Sequence, residues 1–256
     1  MSDWDAQTYH RLSTPQLEWG RRLAAKLGAR PGERILDIGC GTGRLTGELA
    51  SAVSQASVVG LDSSQAMLAE AARAHHGGHV AFIRGDALRL PFAPSSFDAV
   101  FSAATFHWID DHALLFEQIH GVLGAGGRLV AQCGGGPNLQ RLLDRAHHLM
   151  DGEYAPFFQG WTDPWTFAGT TETRDRLAAA GFTAIDVSLE AAPTTLADAG
   201  AFSDFISCVC VRHHIDRLPE GKRPDFVRAL TEQAAHDTPP FTLDYWRLNL
   251  SGVKGA

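Results

Sequence analysis

Cysteine is scarce in this chain, and its spacing follows no known pattern. The cysteines at positions 40, 133, 208 and 210 contain no C-x-x-C pair, so the sequence indicates neither a zinc site nor a disulfide framework. We predict that Cys40 and Cys133 are packing residues. Cys208 and Cys210 would share a face only on a strand, but the apolar residues around them recur at helical spacing, which predicts a helix with inert thiols.

Positive charge and long apolar runs are also lacking. The net charge is −7 at pH 7, which argues against the basic face that nucleic-acid binding requires. No apolar run approaches the ~18 residues that span a bilayer, and the N-terminal residues lack the layout of a secretory signal. We therefore expect a cytoplasmic protein with neither a nucleic-acid nor a membrane partner. At 256 residues with 45% hydrophobic composition, the chain can bury a full core.

Histidine is comparatively abundant. Half of the 12 histidines occur as adjacent pairs, at positions 75–76, 147–148 and 213–214. Adjacent side chains on a helix diverge by about 100°, so the two members of a pair cannot bind one ion together. We therefore predict that the pairs are solvated helix positions and that the protein has no metal site.

A glycine loop follows an apolar strand near the N-terminus, in the sequence RILDIGCGTGR (34–44). Gly39, Gly41 and Gly43 allow sharp turns and close approach to a ligand, and the helix that follows offers free N–H groups. The spacing lacks the later glycine of the dinucleotide fingerprint. Asp37 would repel the pyrophosphate of NAD or FAD but would stabilise the ammonium and sulfonium of S-adenosylmethionine. The loop thus predicts an S-adenosylmethionine site.

Acidic residues also end the next two predicted strands. Asp62 can accept hydrogen bonds from both ribose hydroxyls of either nucleotide, and Ser63 or Ser64 after it is suited to cap a helix. Asp86 can accept a hydrogen bond from an adenine amino group, and the small side chain of Ala87 leaves room for the ring. These residues extend the predicted cofactor site across three strand ends.

The blocks ILDIGCGTG, GLDSS, GDALRLPFAPSSFDAVFS and GAGGRLVAQ follow one another between about residues 30 and 135. In this order they resemble the class I S-adenosylmethionine-dependent methyltransferases, and WDAQTYHR, FHW and AQCGG are similar to the trans-aconitate methyltransferase-like enzymes of small molecules. The resemblance implies an α/β, Rossmann-like, doubly wound fold: a mostly parallel seven-stranded sheet with the last strand antiparallel, plus a helical cap. It also implies S-adenosyl-L-methionine as cofactor and a small-molecule acceptor. Oligomeric state stays open.

Five regions are expected along the chain. Alternating short strands and amphipathic helices from 34 to about 150 predict a parallel sheet with right-handed crossovers. The regions are an N-terminal helical cover (1–30), the cofactor-binding core (31–150), an aromatic wall with the sixth strand (151–193), a helical cap insertion (194–240) and the last strand (241–256). The resemblance implies that the cap insertion and the N-terminal helix cover the active site.

Three local elements were predicted in more detail. We expect the fifth strand at 128–132, directly after a glycine turn at 124–127. The segment 194–238 is expected to form two helices. The last strand is predicted at 242–249.

His107 is the candidate catalytic and substrate-binding residue, because it follows the fourth strand, where an open α/β sheet exposes its carboxyl edge to ligands. His107 can act as a general base or be a hydrogen-bonded packing residue. The trans-aconitate methyltransferase-like enzymes commonly have Gln at this position, which argues against a catalytic histidine. Trp108 is a candidate for the adenine-side wall or for the core. A carboxylate acceptor is already ionised at pH 7 and requires no base, whereas a hydroxyl or carbon acceptor usually does.

Further candidates come from outside these motifs. Ser102, at the end of the fourth strand, and Tyr9 are predicted to bind the cofactor, and an aromatic ring such as Tyr9 can stabilise a sulfonium. Trp4 and Arg212 are predicted to bind the substrate, Arg212 because a guanidinium pairs well with a carboxylate.

The expected function is therefore methyl transfer from S-adenosylmethionine to a small molecule, with a carboxylate such as trans-aconitate first among acceptors. Within the same chemistry, a C- or O-methyltransferase of a natural product, a quinone precursor or a carrier-protein-bound acid stays open. Two other classes are an NAD-dependent oxidoreductase, which the glycine spacing and Asp62 permit, and a non-catalytic S-adenosylmethionine-binding protein.

Overall fold

The computed structural model describes residues 14–75 and 80–255. The strands are β1 (Arg34–Ile38), β2 (Ser57–Asp62), β3 (Val80–Arg84), β4 (Phe97–Ala103), β5 (Leu123–Gly134), β6 (Phe182–Ala191), β7 (Thr194–Thr195), β8 (Thr242–Leu243) and β9 (Trp246–Lys254). The α-helices are α1 (Thr14–Leu27), α2 (Arg44–Ala52), α3 (Gln65–Ala74), α4 (His112–Val122), α5 (Gln140–Asp151), α6 (Thr170–Ala179), α7 (Ala199–Phe205), α8 (Arg212–Arg217) and α9 (Arg223–Ala234).

One sheet of seven strands runs in the order β3-β2-β1-β4-β5-β9-β6. The pairs β1–β2, β1–β4, β2–β3 and β4–β5 are parallel, whereas β9 pairs antiparallel with both β5 and β6. The order reverses beside β1, so the carboxyl ends of β1 and β4 flank a crevice where ligands bind in open α/β sheets. The predicted fold class is confirmed.

Both faces of the sheet are covered, which explains why its central strands are almost continuously apolar. Ile35, Leu36 and Ile38 of β1 are fully buried. Ile35 packs with Leu23 and Leu27 of α1 on one face, and Leu36 and Ile38 pack with residues of α4 on the other. The alternation of strand and helix in the sequence thus becomes a three-layer core.

The cap has a hydrophobic core of its own. It comprises buried aliphatic side chains of α5 and buried rings of α7, α9 and the aromatic segment between α5 and α6, among them Tyr154, Phe202, Phe205 and Phe226. Tyr154 and Phe226 pack edge to face with their ring centroids 5.1 Å apart. These residues are up to about 70 positions apart in sequence, so they stabilise the cap as one unit.

The structure corrects the predicted start of the fifth strand. Instead of a turn at 124–127, β5 already begins at Leu123, which pairs with Phe97. The register then shifts before Ala99, and Gly126 has a φ of 72°. The glycines therefore lie in an irregular part of the β4–β5 pair. Such an irregularity, like a β-bulge, needs residues that tolerate positive φ.

Two predictions for the cap and the C-terminus are also corrected. The segment 194–238 contains three α-helices, α7 to α9, and Cys208 and Cys210 lie in a five-residue π-helical turn, Ile206–Cys210. The predicted last strand is two strands, β8 and β9, because Asp244 between them turns away to accept a hydrogen bond from Arg141 N at the start of α5 (3.1 Å). Within the described ranges, no helix is long and apolar enough to cross a membrane.

Candidate active site

A cavity of about 350 Å³ opens at the carboxyl ends of β1, β2 and β4 and at the loop after β3. It brings together seven residues predicted from the sequence: Gly39, Gly41, Asp62, Ser63, Asp86, Ala87 and Trp108. Ile38, Leu61, Met67 and Ile109 add apolar walls. The cavity therefore combines apolar surface for a ring with carboxylates at its rim. We call it the cofactor cavity.

The glycine loop shapes one side of the cofactor cavity. Gly39, Gly41 and Gly43 have φ values of 73°, 54° and 75°, a region that favours glycine. A Cβ on Gly39 would overlap the side chain of Thr105, and one on Gly43 would lie 2.7 Å from Phe82 Cζ. Gly41 has no such neighbour among the described residues, and it lines the cavity. Gly39 and Gly43 are thus required for close packing, while Gly41 leaves room for a ligand.

Asp62 is held rigidly at the end of β2. Its Oδ2 accepts a hydrogen bond from Gly41 N (2.9 Å), and its Oδ1 accepts one from Ser64 N (2.8 Å). Ser64 caps α3, because its hydroxyl accepts a hydrogen bond from Met67 N (3.1 Å). That arrangement leaves Ser63 to line the cavity. The loop and the carboxylate therefore fix each other's position.

Asp37 lies behind the loop, not in the cofactor cavity. Together with Gln16 and Arg44, it lines a smaller cavity of about 80 Å³, which we call the Asp37 cavity. Its Oδ2 accepts a hydrogen bond from Thr46 Oγ1 (2.7 Å). Burial raises the pKa of Asp37 to about 7, against the effect of the Thr46 hydrogen bond, and the charge of Asp62 raises it further. A cation placed here would favour the ionised form of Asp37.

A third cavity, of about 40 Å³, lies under the cap. It shares Ala104 and Trp108 with the cofactor cavity, and Ala104 and Gln16 with the Asp37 cavity. Its remaining lining comprises His107, Asn138, Leu139, Trp165, Phe167, Val209, Cys210, Tyr245 and Arg247. Trp165 stacks on Phe167 with an interplanar angle of 7° and a centroid distance of 5.9 Å. We call this aromatic space the acceptor cavity.

His107 is oriented by the backbone of β5. Its Nδ1 accepts a hydrogen bond from Gly134 N (3.2 Å), so the proton of the neutral ring resides on Nε2. Burial, together with the charges of Arg247 and His112, lowers the pKa of His107 to about 3. At neutral pH the ring is therefore uncharged, and its Nε2–H is a hydrogen-bond donor.

Arg247 is the functional candidate that the sequence reasoning missed. It lies on β9 opposite Gly134 of β5, is only 3% exposed, and lines the acceptor cavity. Its guanidinium carbon lies 4.5 Å from the centroid of the Trp19 ring, and its Nε donates a 3.4 Å hydrogen bond to Gln132 Oε1. An arginine within the apolar pattern of a central strand was the available signal, since buried charges are rare.

Other predicted site residues lie elsewhere. The Ser102 side chain is buried, and its hydroxyl donates to the Ile38 carbonyl (2.8 Å), so it joins β4 to β1 instead of facing the cofactor cavity. Arg212 lines a separate cleft on the cap, where its Nε lies 3.6 Å from Asp216 Oδ2. Trp4 and Tyr9 lie outside the described residues.

Comparison with known proteins defines the class. Residues 36–131 match a family model described as a methyltransferase domain. The chain is 33% identical over 189 residues to a trans-aconitate 2-methyltransferase of Deinococcus radiodurans, covering 71% of this chain and 72% of the relative. It belongs to the S-adenosylmethionine-dependent methyltransferases, and S-adenosylmethionine is its cofactor. A trans-aconitate 2-methyltransferase of Rhodopseudomonas palustris (strain BisB18) is 30% identical over 251 residues, with 94% and 93% coverage.

Solved structures share the fold. The YcgJ protein of Bacillus subtilis aligns with a TM-score of 0.66 at 17% identity, covering 94% of this chain and 99% of that one. The phosphoethanolamine N-methyltransferase 2 of Haemonchus contortus, in complex with S-adenosyl-L-methionine, aligns with a TM-score of 0.65 at 19% identity, covering 98% and 57%. The predictions of fold, enzyme class and cofactor are thus confirmed, and the NAD-dependent oxidoreductase is set aside.

Proposed function

We propose that this enzyme transfers the methyl group of S-adenosylmethionine to a carboxylate oxygen of a small acid in the acceptor cavity. The observation that carries the proposal is the buried Arg247, which places a permanent cation in a cavity lined mostly by aromatic and apolar side chains. A guanidinium pairs with a carboxylate through two parallel hydrogen bonds. The relatives named as trans-aconitate 2-methyltransferases support an acid as acceptor.

The cofactor would extend from the cofactor cavity to the Asp37 cavity. Asp86 and Ala87, which line the cofactor cavity, would contact the adenine, and Asp62 would accept hydrogen bonds from the ribose hydroxyls. Asp37, which lines the smaller cavity, would face the ammonium group. Because both cavities adjoin the acceptor cavity at Ala104, the sulfonium methyl would lie at this junction. Trp108 lines both the cofactor cavity and the acceptor cavity.

The transfer is an in-line displacement. When bound, S-adenosylmethionine would supply the methyl group: a carboxylate oxygen would donate an electron pair to the methyl carbon, and the bond from that carbon to sulfur would break with its electron pair moving to sulfur. The products are a methyl ester and S-adenosylhomocysteine. Opposite charges are neutralised in this step, so alignment and exclusion of water supply the acceleration.

His107 then has a positioning role. A carboxylate is ionised at neutral pH and requires no base, and the Nδ1 of His107 is occupied by Gly134 N. Its Nε2–H is therefore placed to donate to the acceptor. Arg247 and His107 line the same cavity and would together fix the carboxylate against the aromatic wall.

The test is an acceptor screen combined with a charge-removing variant. Wild type would be supplied with trans-aconitate, unsaturated monocarboxylic acids, their amides and matched phenols, and both S-adenosylhomocysteine and methyl esters would be measured. We expect esters from acids only. Arg247→Met should raise the acceptor KM by roughly 10- to 100-fold, the cost of one charged hydrogen-bonding partner.

The matched control is Arg228→Met, because Arg228 is an exposed arginine of α9 that pairs with Asp225 (2.7 Å). It should leave the kinetics unchanged. Cofactor affinity should stay within about twofold of wild type in both variants, a difference well under 1 kcal/mol. Methylation of phenols or amides in preference to acids, or an unchanged KM in Arg247→Met, would contradict the proposal.

A further inference from the structure

Two histidines, one from the pair 147–148 and one from the pair 213–214, lie close to an aspartate in the cap. His147 lies on α5, Asp163 in the aromatic segment before α6, and His214 on α8. His147 Nε2 is 2.8 Å from Asp163 Oδ2, and His214 Nε2 is 3.5 Å from Asp163 Oδ1. One ligand atom from each residue lies within 4.8 Å of the other two. The two histidines of an adjacent pair cannot bind one ion together, but the fold brings one histidine from each of two such pairs close to the same aspartate.

His214 is buried, and its ring nitrogens are poorly satisfied. The side chain is 0% exposed, and among the described residues neither ring nitrogen makes a hydrogen bond of good geometry, although Asp163 Oδ1 lies 3.5 Å from Nε2. Trp161, Trp165 and Phe158 surround the ring at centroid distances of 4.9, 5.6 and 6.2 Å. A buried imidazole nitrogen that lacks a hydrogen bond destabilises a fold, whereas a metal bond to Nε2 would satisfy that nitrogen.

We propose that His147, Asp163 and His214 bind a divalent transition-metal ion, with zinc as the preferred occupant. Two imidazoles and a carboxylate form a ligand set that suits zinc and its neighbours. With metal–ligand bonds of about 2.0–2.1 Å, tetrahedral geometry places ligand atoms roughly 3.3 Å apart. The observed separations are 2.8 Å from His147 Nε2 to Asp163 Oδ2 and 3.5 Å from His214 Nε2 to Asp163 Oδ1, so the two histidines approach different oxygens of the carboxylate at distances near this value.

The surroundings support the ligand geometry. Trp161 Nε1 donates a 2.9 Å hydrogen bond to Asp163 Oδ1 and so orients the carboxylate, as outer partners of metal ligands commonly do. The His147 side chain is 41% exposed. An ion can therefore enter from its side, and a water molecule can complete the coordination there.

The ion would be structural, and it would act on the acceptor cavity through one residue. Trp165 stacks against His214 and also lines the acceptor cavity. Joining α5, α8 and the aromatic segment would hold that indole in place. The site is independent of which acceptor the enzyme uses.

The experiment uses untagged, full-length protein freed of metal by chelation. Zn²⁺ binding would be measured by calorimetry and by the rise in melting temperature, and Co²⁺ would serve as a spectroscopic probe of the geometry. We expect one ion per chain and a visible Co²⁺ absorption typical of four ligands. Saturating Zn²⁺ should raise the melting temperature, since it binds the native state.

The variants are His147→Ala and Asp163→Asn, with His148→Ala as the control. His148 is the exposed neighbour of His147 on the same helix, so its loss should change nothing. His147→Ala should weaken Zn²⁺ binding at least 10-fold and abolish the Co²⁺ absorption. His147 is partly exposed, so its variant is expected to fold, which circular dichroism would verify. Absence of binding by wild type, or equal binding by wild type and His147→Ala, would overturn the proposal.

Discussion

The cofactor cavity and the acceptor cavity meet at Trp108 but are assembled in different ways. Most of the cofactor lining comes from short runs at successive strand ends, within residues 38–41, 61–63 and 85–88. The acceptor lining comes from single residues and adjacent pairs that are scattered along the sequence between Gln16 and Arg247. The first therefore depends on local backbone geometry, and the second on how distant elements pack. Each should respond to different substitutions.

Asp62→Ala should have the largest effect on the cofactor side. The substitution removes two backbone hydrogen bonds, one from Gly41 N of the glycine loop and one from Ser64 N at the start of α3. It also removes the proposed acceptor of the ribose hydroxyls. Charged hydrogen bonds contribute about 1.5–3 kcal/mol each, so we expect S-adenosylmethionine affinity to fall roughly 100-fold or more. Calorimetry would measure it, with Asp151→Ala, an exposed acid at the end of α5, as control. An affinity within threefold of wild type would remove Asp62 from the cofactor site.

Asp37→Asn should have a smaller effect that depends on pH. Since the pKa of Asp37 is raised to about 7 in the folded protein, the folded state binds this proton more tightly than the unfolded chain. The stability that the carboxyl contributes is full below about pH 4 and is lost as pH rises through 7. Without cofactor, Asp37→Asn should therefore lack this loss and be more stable than wild type at pH 7.5.

The same group should make cofactor affinity pH-dependent. In wild type, affinity for S-adenosylmethionine should rise roughly 10-fold from pH 5.5 to 7.5, about 1.4 kcal/mol, as Asp37 ionises beside the cation. In Asp37→Asn the affinity should be flat over this range. Parallel pH profiles for the two proteins would show that Asp37 does not face the cofactor's charge.

His107→Gln should have the smallest effect. Glutamine retains a hydrogen-bond donor, so kcat/KM should stay within about fivefold of wild type, whereas loss of a general base costs about 100-fold or more. Because the pKa of His107 is lowered to about 3, wild-type activity should show no ionisation of this ring between pH 5.5 and 8. A loss of activity below a midpoint near pH 6.5 that His107→Gln abolishes would restore His107 as a base.

The same contrast explains what the sequence could predict. Gly39, Gly41, Asp62 and Asp86 were identifiable because each occupies a fixed place relative to a strand end, and strand order brings those ends together. Arg247 gave a signal as an arginine in a predicted strand, but its place in the acceptor cavity could not be predicted, because it depends on which strands neighbour β9 in the sheet. A strand's hydrophobic pattern does not specify those neighbours.

For Ser102 and His214 the sequence predicted the position along the element correctly but the environment of the side chain wrongly. Ser102 stands at a strand end like the acids, but its hydroxyl turns back to the Ile38 carbonyl (2.8 Å). His214 was predicted to be solvated, yet aromatic rings of the cap enclose it completely. In both cases the direction of the side chain is set by tertiary packing, which overrides position along the element.

Methyl transfer can be followed directly with S-adenosylmethionine that carries a deuterated methyl group. Wild type, trans-aconitate and unsaturated monocarboxylic acids would be incubated with this cofactor, and the products analysed by mass spectrometry before and after saponification. We expect a deuterated methyl ester that loses its label on saponification, with one S-adenosylhomocysteine formed per ester. Label that survives saponification, or S-adenosylhomocysteine formed only with non-acid acceptors, would contradict carboxylate methylation.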